Sequence, residues 1–190
     1  MTKPTHWTAN QSTYRLGSEQ SVFISNPRYS WMSNSAPIPV KYNDIVYPNV
    51  DLALLCWKYN FHNEIVSAVL ESKDLSDISG KVSKIENRFD LKCCTIRSGA
   101  YEFLFTLIRN KVAPLLLYQE RLKETVAENY VVYDILNENP SGEDLYWGIK
   151  FDTNTNQWFG RNELGNLWAG YRADLLRGEA RITYRIAHRR

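Results

Sequence analysis

Apolar residues recur at helical spacing along much of the chain. From Val50 to Glu71 they fall at Leu52, Leu55, Tyr59, Val66 and Val69 without an internal Gly or Pro. Pro48-Asn49 stands just before, so the pattern predicts a helix over this stretch with Asn49 as its cap. Thr95–Val112 has Ile96, Ala100, Phe103, Leu104, Leu107 and Ile108 on one face and reads as a second helix. Pro114 suits the first turn of a third, Ala113–Glu124. Gly160-Arg161-Asn162 introduces a last helix running to about Arg177, where Gly178 is a natural stop. Gly80 interrupts a polar segment with a short helix expected on either side.

Other stretches follow a different rhythm. Tyr130–Leu136 is β-branched and aromatic and reads as a strand, with Leu145–Phe151 a second strand or extended segment. Asn137–Glu143, carrying Pro140 and Gly142, reads as a surface loop. Ser21–Tyr47 alternates β-type runs with turn residues, which predicts loops and one or two short strands. The resulting fold class is mainly α with a small β component (α+β), in a single compact helical domain. Residues 1–20 read as a flexible leader, 21–178 as the domain and 179–190 as a basic tail.

A chain of 190 residues can bury a full core, and 44% hydrophobic with 23% charged residues is globular composition. Aromatics reach 13%, with 12 Tyr and 6 Trp, which serves either a core of large rings or a stacking surface for a base or sugar. Cys56, Cys93 and Cys94 form no CxxC pair, so a reduced compartment fits best. Met1–Gln20 lacks the apolar core of a signal peptide, and the longest apolar runs, Leu52–Trp57 and Val112–Tyr118, are too short to span a bilayer. The expected location is cytoplasmic, the host cytoplasm if the chain is viral, with no membrane contact.

Net charge is only +2, which does not advertise nucleic-acid binding. Its distribution is uneven, since Arg177, Arg181, Arg185, Arg189 and Arg190 face a single Glu179. Their spacing puts the first four on one side of a strand and roughly on one side of a helix. A solvated tail and a phosphate-backbone contact both explain this pattern.

Familiar sites are missing. The sequence has no P-loop, GxGxxG, HExxH or GxSxG, and His6, His62 and His188 are scattered, so neither a metal nor a cofactor is expected. Chemistry then falls to carboxylates, a lysine and polar side chains. Asp51 and Lys58 lie within about 20° of one azimuth and roughly 10 Å apart along a helix axis, with Leu54 and Leu55 between them. A ligand fits between two such charges, although charges flanking a buried stripe are also commonplace. Asp144-Leu145-Tyr146-Trp147-Gly148 reads either as a tight turn with Trp147 in the core or as a carboxylate and indole set for a ligand. Gly160-x-Asn162-x-Leu164-Gly165 supplies free N–H groups at a helix start, for ordinary capping or for an anion.

These segments, in their order, resemble a known family. Phe23-Ile24, Trp31-Met32-Ser33-Asn34 and Pro37-Ile38 resemble its opening pattern of an aromatic pair, a Ser-Asn and a Pro-Ile. Tyr47-Pro48-Asn49-Val50-Asp51 followed by Lys58-Tyr59 resembles its aromatic-Pro-Thr-Val-Glu and the Lys-Phe after it. Asp144-x-Tyr146-Trp147-Gly148, and Gly160-x-Asn162-x-Leu164-Gly165 with Arg172, are similar to its two later motifs. The family is NADAR, also called YbiA-like, and the resemblance covers about Phe23–Leu176, apart from a middle, Ser72–Val131, that does not align securely. The chain departs from the pattern where Asp51 replaces the usual Glu, where Asp134 stands for the second acid ahead of an insertion, and where Lys150 takes the place of a second glycine.

The resemblance implies an N-glycosidase that cleaves the bond between ribose C1′ and an amino nitrogen. Its implied substrate is ADP-ribose on guanine in DNA, in toxin or phage-defence counteraction. The alternative substrates are phosphorylated riboflavin-pathway intermediates, and a non-catalytic ADP-ribose or nucleotide binding module is the alternative of another class. Carried onto this sequence, the catalytic set is Lys58, Asp51, Asp134 and Asp144. Ligand contacts fall to Ser33, Asn34, Trp147, Gly148, Asn162, Gly165 and Arg172. Lys58 is the expected Schiff-base amine, with Asp51 as acid/base. A rival route has water attack an oxocarbenium-like centre that Asp51 or Asp134 stabilises.

Overall fold

The structure, a computed structural model, describes residues 21–24, 27–72, 74–92, 99–125, 130–132, 142–155 and 157–178. The elements begin with β1 (Ser21–Phe23), a 3-10 helix (Pro27–Met32), β2 (Val40–Tyr42) and β3 (Ile45–Tyr47). Next come α1 (Val50–Lys58), α2 (Asn63–Glu71), α3 (Leu75–Phe89), α4 (Ala100–Val112) and α5 (Leu116–Lys123). The chain closes with β4 (Tyr130–Val132), α6 (Gly142–Trp147), β5 (Ile149–Asp152), β6 (Gln157–Gly160) and α7 (Glu163–Leu176). Helices dominate beside small two-stranded sheets, the mainly α class that the pattern predicts. Contacts gather into two units, Ile24–Lys111 and the segments Met1–Phe23 with Val112–Arg190. None of the described helices is long and apolar enough to cross a membrane. The leader, Asp134, the loop to Ser141 and the tail arginines Arg181, Arg185, Arg189 and Arg190 lie outside the described residues.

In the unit Ile24–Lys111, β2 and β3 form an antiparallel hairpin in which Val40 faces Tyr47. Its turn is Asn43-Asp44, both with positive φ, as a two-residue hairpin turn of the primed kind requires. Helix α1 starts where Asn49 accepts a hydrogen bond from the Leu52 N–H at 2.9 Å, a cap worth about 1 kcal/mol. The predicted continuous helix Val50–Glu71 is broken after Lys58. Asn60 and Phe61 take left-handed backbone, and the Phe61 N–H closes on the Cys56 carbonyl at 2.8 Å, the six-to-one bond of a Schellman turn. Rings hold Phe61 in that costly conformation, since it stacks on Tyr42 and meets Phe103 edge-on. The hydrophobic period hides this break because α2 restarts the stripe with Ile65, Ala68 and Val69.

Gly80, predicted to separate two short helices, lies inside one. Asp74 caps α3 by accepting from the Asp77 N–H, and Ile78 and Val82 are buried along a helix that packs on α2. The glycine is exposed with nothing near its missing Cβ, so its penalty of roughly 1 kcal/mol is offset by packing elsewhere on the helix. Helix α4 begins at Ala100 behind Gly99, at φ 104°; the start at Thr95 that the sequence predicts lies outside the described residues. It buries Leu104, Leu107 and Ile108 completely.

In the other unit, α5 starts at Leu116 because Leu115 is not helical, so Pro114 falls in the preceding turn rather than the first helical turn. Strands β1 and β4 pair in parallel. Gly142–Trp147 is helical where the sequence predicts a loop giving way to extended chain. Leu145, Tyr146 and Trp147 have β-type composition, but the last two pack ring against ring at 4.8 Å on one short helix. Helix α7 follows Asn162 as predicted, after a β5–β6 hairpin whose second strand the sequence pattern does not predict, and Gly178 at φ 70° ends it.

Candidate active site

Within Ile24–Lys111 the structure brings the first two family-like motifs together. The Asp51 N–H, in the first turn of α1, donates to the Asn34 carbonyl at 3.2 Å. Ser33, next to it, accepts at its own carbonyl from the Ala36 N–H at 3.1 Å and from the Lys111 amine at 2.6 Å. Its hydroxyl lies 2.9 Å from that of Ser35. The Asn34 Oδ1 is buried with no hydrogen-bond partner, a state that costs about 1–3 kcal/mol.

Asp51 is exposed as a residue, yet enough protein lies near its carboxylate to disfavour the charge. Desolvation raises its pKa above the usual carboxylate value, while Lys111 and, more weakly, Lys58 pull it down. Lys58 is half-buried in the last turn of α1.

Lys111 was not among the residues that the sequence singles out. It is wholly buried, and burial pushes its pKa down to about 8 against the pull of Asp51. A signal for it exists: Leu104, Leu107, Ile108 and Lys111 follow one another on a single helical face, so the apolar stripe of α4 carries the lysine inward. Tyr47 and Cys56, deeper in the same unit, are each pushed up to about 12, chiefly by burial. Cys56 is therefore a thiol at neutral pH and no nucleophile.

The two later motifs meet in the other unit. Pairing of β5 with β6 sets Ile149 opposite Gly160, and the Asn162 N–H donates to the Gly148 carbonyl at 3.2 Å. A Cβ on Gly160 would stand 2.3 Å from that same carbonyl oxygen, at φ 124°, so this position admits only glycine. Lys150 pairs with Phe159 in the hairpin. Trp147 is buried with its indole N–H unpartnered. Asn162 is buried in left-handed backbone, and its side chain makes no cap hydrogen bond to α7. Gly165 is buried in that helix. Arg172 donates from Nε to the Leu122 carbonyl at 3.2 Å and from Nη2 to the Thr125 carbonyl, fastening the end of α5 to α7. Asp144 lies on α6 and Arg177 caps the end of α7, where it pairs with Asp174 at 2.7 Å. Among the described residues no cluster of His, Cys, Asp and Glu is arranged to hold a metal.

Asp51, Lys111, Lys58 and the Ser33–Asn34 turn thus form a site of one accessible carboxylate backed by cations. Such a site favours a ligand group that donates hydrogen bonds or gains positive charge as it reacts. The chain matches no protein-family model and no curated protein.

Proposed function

We propose that the protein is an N-glycosidase that removes ADP-ribose from ADP-ribosylated guanine in DNA. The observation that carries this reading is the Asp51 carboxyl, raised by burial and set against Lys111, Lys58 and the Asn34 turn. The motif resemblance supplies the substrate class. A carboxyl with a raised pKa keeps its proton to higher pH and so serves as a general acid.

In this reading Asp51 protonates the departing amine and the Lys58 amine takes its place at C1′. The C1′–N bond to guanine breaks as the C1′–N bond to Lys58 forms. The Asp51 carboxylate takes a proton from the newly attached lysine nitrogen and returns it to O4′ as the C1′–O4′ bond breaks, which opens the ring to a lysine imine. Water hydrolyses that imine, freeing ADP-ribose and restoring the amine. Trp147 and Asn162 take their ligand roles in this proposal from the resemblance alone, while Arg172, which donates to the Leu122 and Thr125 carbonyls, is left to structure.

The test is incubation of a DNA oligonucleotide carrying ADP-ribosyl-guanine, followed by mass analysis. Release of ADP-ribose is expected, with a loss of about 100-fold or more in Asp51→Ala and Lys58→Ala. Borohydride should trap an adduct on wild type that Lys58→Ala lacks. Turnover without an adduct replaces the lysine with direct attack by water. No release overturns the DNA substrate and directs the assay to phosphorylated ribosylamino intermediates of riboflavin synthesis. Binding of ADP-ribose without turnover of either substrate identifies a binding module.

A further inference from the structure

The proposed reaction leaves Lys111 without a task, yet the fold takes its amine wholly out of water. Burying an ammonium is costly, and a methionine fills similar space without that penalty. What the lysine supplies is contact. Its Nζ is 2.6 Å from the Ser33 carbonyl, while the Asp51 N–H holds the neighbouring Asn34 carbonyl at 3.2 Å. The turn is therefore gripped from α4 on one side and from α1 on the other.

We propose that Lys111 is a positioning residue of the Asp51 site: from beneath the surface it holds the Ser33–Asn34 turn and serves Asp51 as an internal counter-ion, so that turn and carboxylate are presented together to a ligand. The inference rests on the reading of Asp51 as the acid of the reaction. The charges that act on Asp51 are Lys111 from α4, first, and Lys58 from its own helix, second. On the elements packed against α1, Lys41 of β2 pairs with Asp44, and Glu64 of α2 pairs with Arg88. Tyr47 of β3 couples to Cys56 and to Tyr42.

Two readouts test the proposal: the Asp51 carboxyl ¹³C titration in the free protein, and the pH profile of kcat/KM. In Lys111→Met the carboxyl titration should move up by about one pH unit or more, as expected for loss of a nearby opposite charge. The alkaline limb of kcat/KM should move with it, and Lys58→Met should shift both by less. An unmoved titration in Lys111→Met, or a larger shift in Lys58→Met, overturns the proposal. The carboxyl titration needs no turnover, so an inactive wild type sinks the glycosidase reading alone. Should Lys111→Met fail to fold, Asp51→Asn reads the same coupling from the other side. There the Lys111 ¹³Cε midpoint should fall below its wild-type value, and an unchanged midpoint overturns the inference.

Discussion

Lys111 and Arg172 are both long cations drawn in from solvent, one in each unit. Lys111 reaches the Ser33 carbonyl and feels the charge of Asp51, and burial brings its pKa to about 8. Arg172 reaches two carbonyls at the end of α5, and burial lowers its pKa too. A guanidinium stays charged whatever its surroundings, and its fork suits two acceptors at once, so it works as a fastener. An amine carries a single adjustable proton and belongs to a pair that can titrate. Burying a cation therefore yields structure in one unit and a tunable charge in the other.

The largest expected effect lies on the structural side of this contrast. Gly160→Ala puts a methyl group into the Gly148 carbonyl and forces alanine into glycine-only backbone. Destabilisation of about 3 kcal/mol or more should follow, read from the urea midpoint. A loss under 1 kcal/mol would mean that the hairpin yields, and that it does not fix the Gly148–Asn162 contact rigidly.

Next in size is a pH dependence confined to the titrating side. The unfolded chain holds the Lys111 proton up to pH 10.5 and the folded chain only to about pH 8. Between those values the unfolded state binds more protons, so stability rises with pH. Wild type should gain on Lys111→Met by up to about 3 kcal/mol over this window. The comparison with the variant matters because Cys56 and Tyr47, both raised to about 12, act in the opposite sense above about pH 9. Asp51 also acts oppositely at acid pH: its folded carboxyl keeps the proton longer, so stability falls as pH rises through the carboxylate range. Parallel curves for wild type and Lys111→Met would dissolve the distinction between fastener and tunable charge.

The smallest effect sharpens the other half. Arg172→Leu removes the donors of two carbonyls and should cost about 2 kcal/mol, with ADP-ribose affinity unchanged within twofold. A tenfold loss of affinity at full stability would make Arg172 a ligand residue, as the motif resemblance implies.

Much of the helical framework was legible from periodicity, because burial of one face is what creates the pattern. The α7 boundaries followed from Asn162 and Gly178, and the start of α1 from Asn49. The break at Asn60-Phe61 was not legible, because it depends on Tyr42 and Phe103, which are distant in sequence. Trp147 misled for a related reason: aromatic composition signals a strand, while ring packing settled a short helix. At the site, Asp51 and Lys58 were visible as a spaced pair of charges. Lys111 went unnoticed because a lysine on an apolar stripe is ordinarily read as a boundary of that stripe rather than as part of it.

Cys56, on the buried face of α1 with its thiol protonated, turns that helix into a clock. A disulfide reagent can modify it only when the helix lifts. With Cys93 and Cys94 replaced by serine, the rate of modification counts opening events directly. Comparing that rate with and without ADP-ribose would show how far a ligand at Asp51 slows the breathing of the helix that carries it.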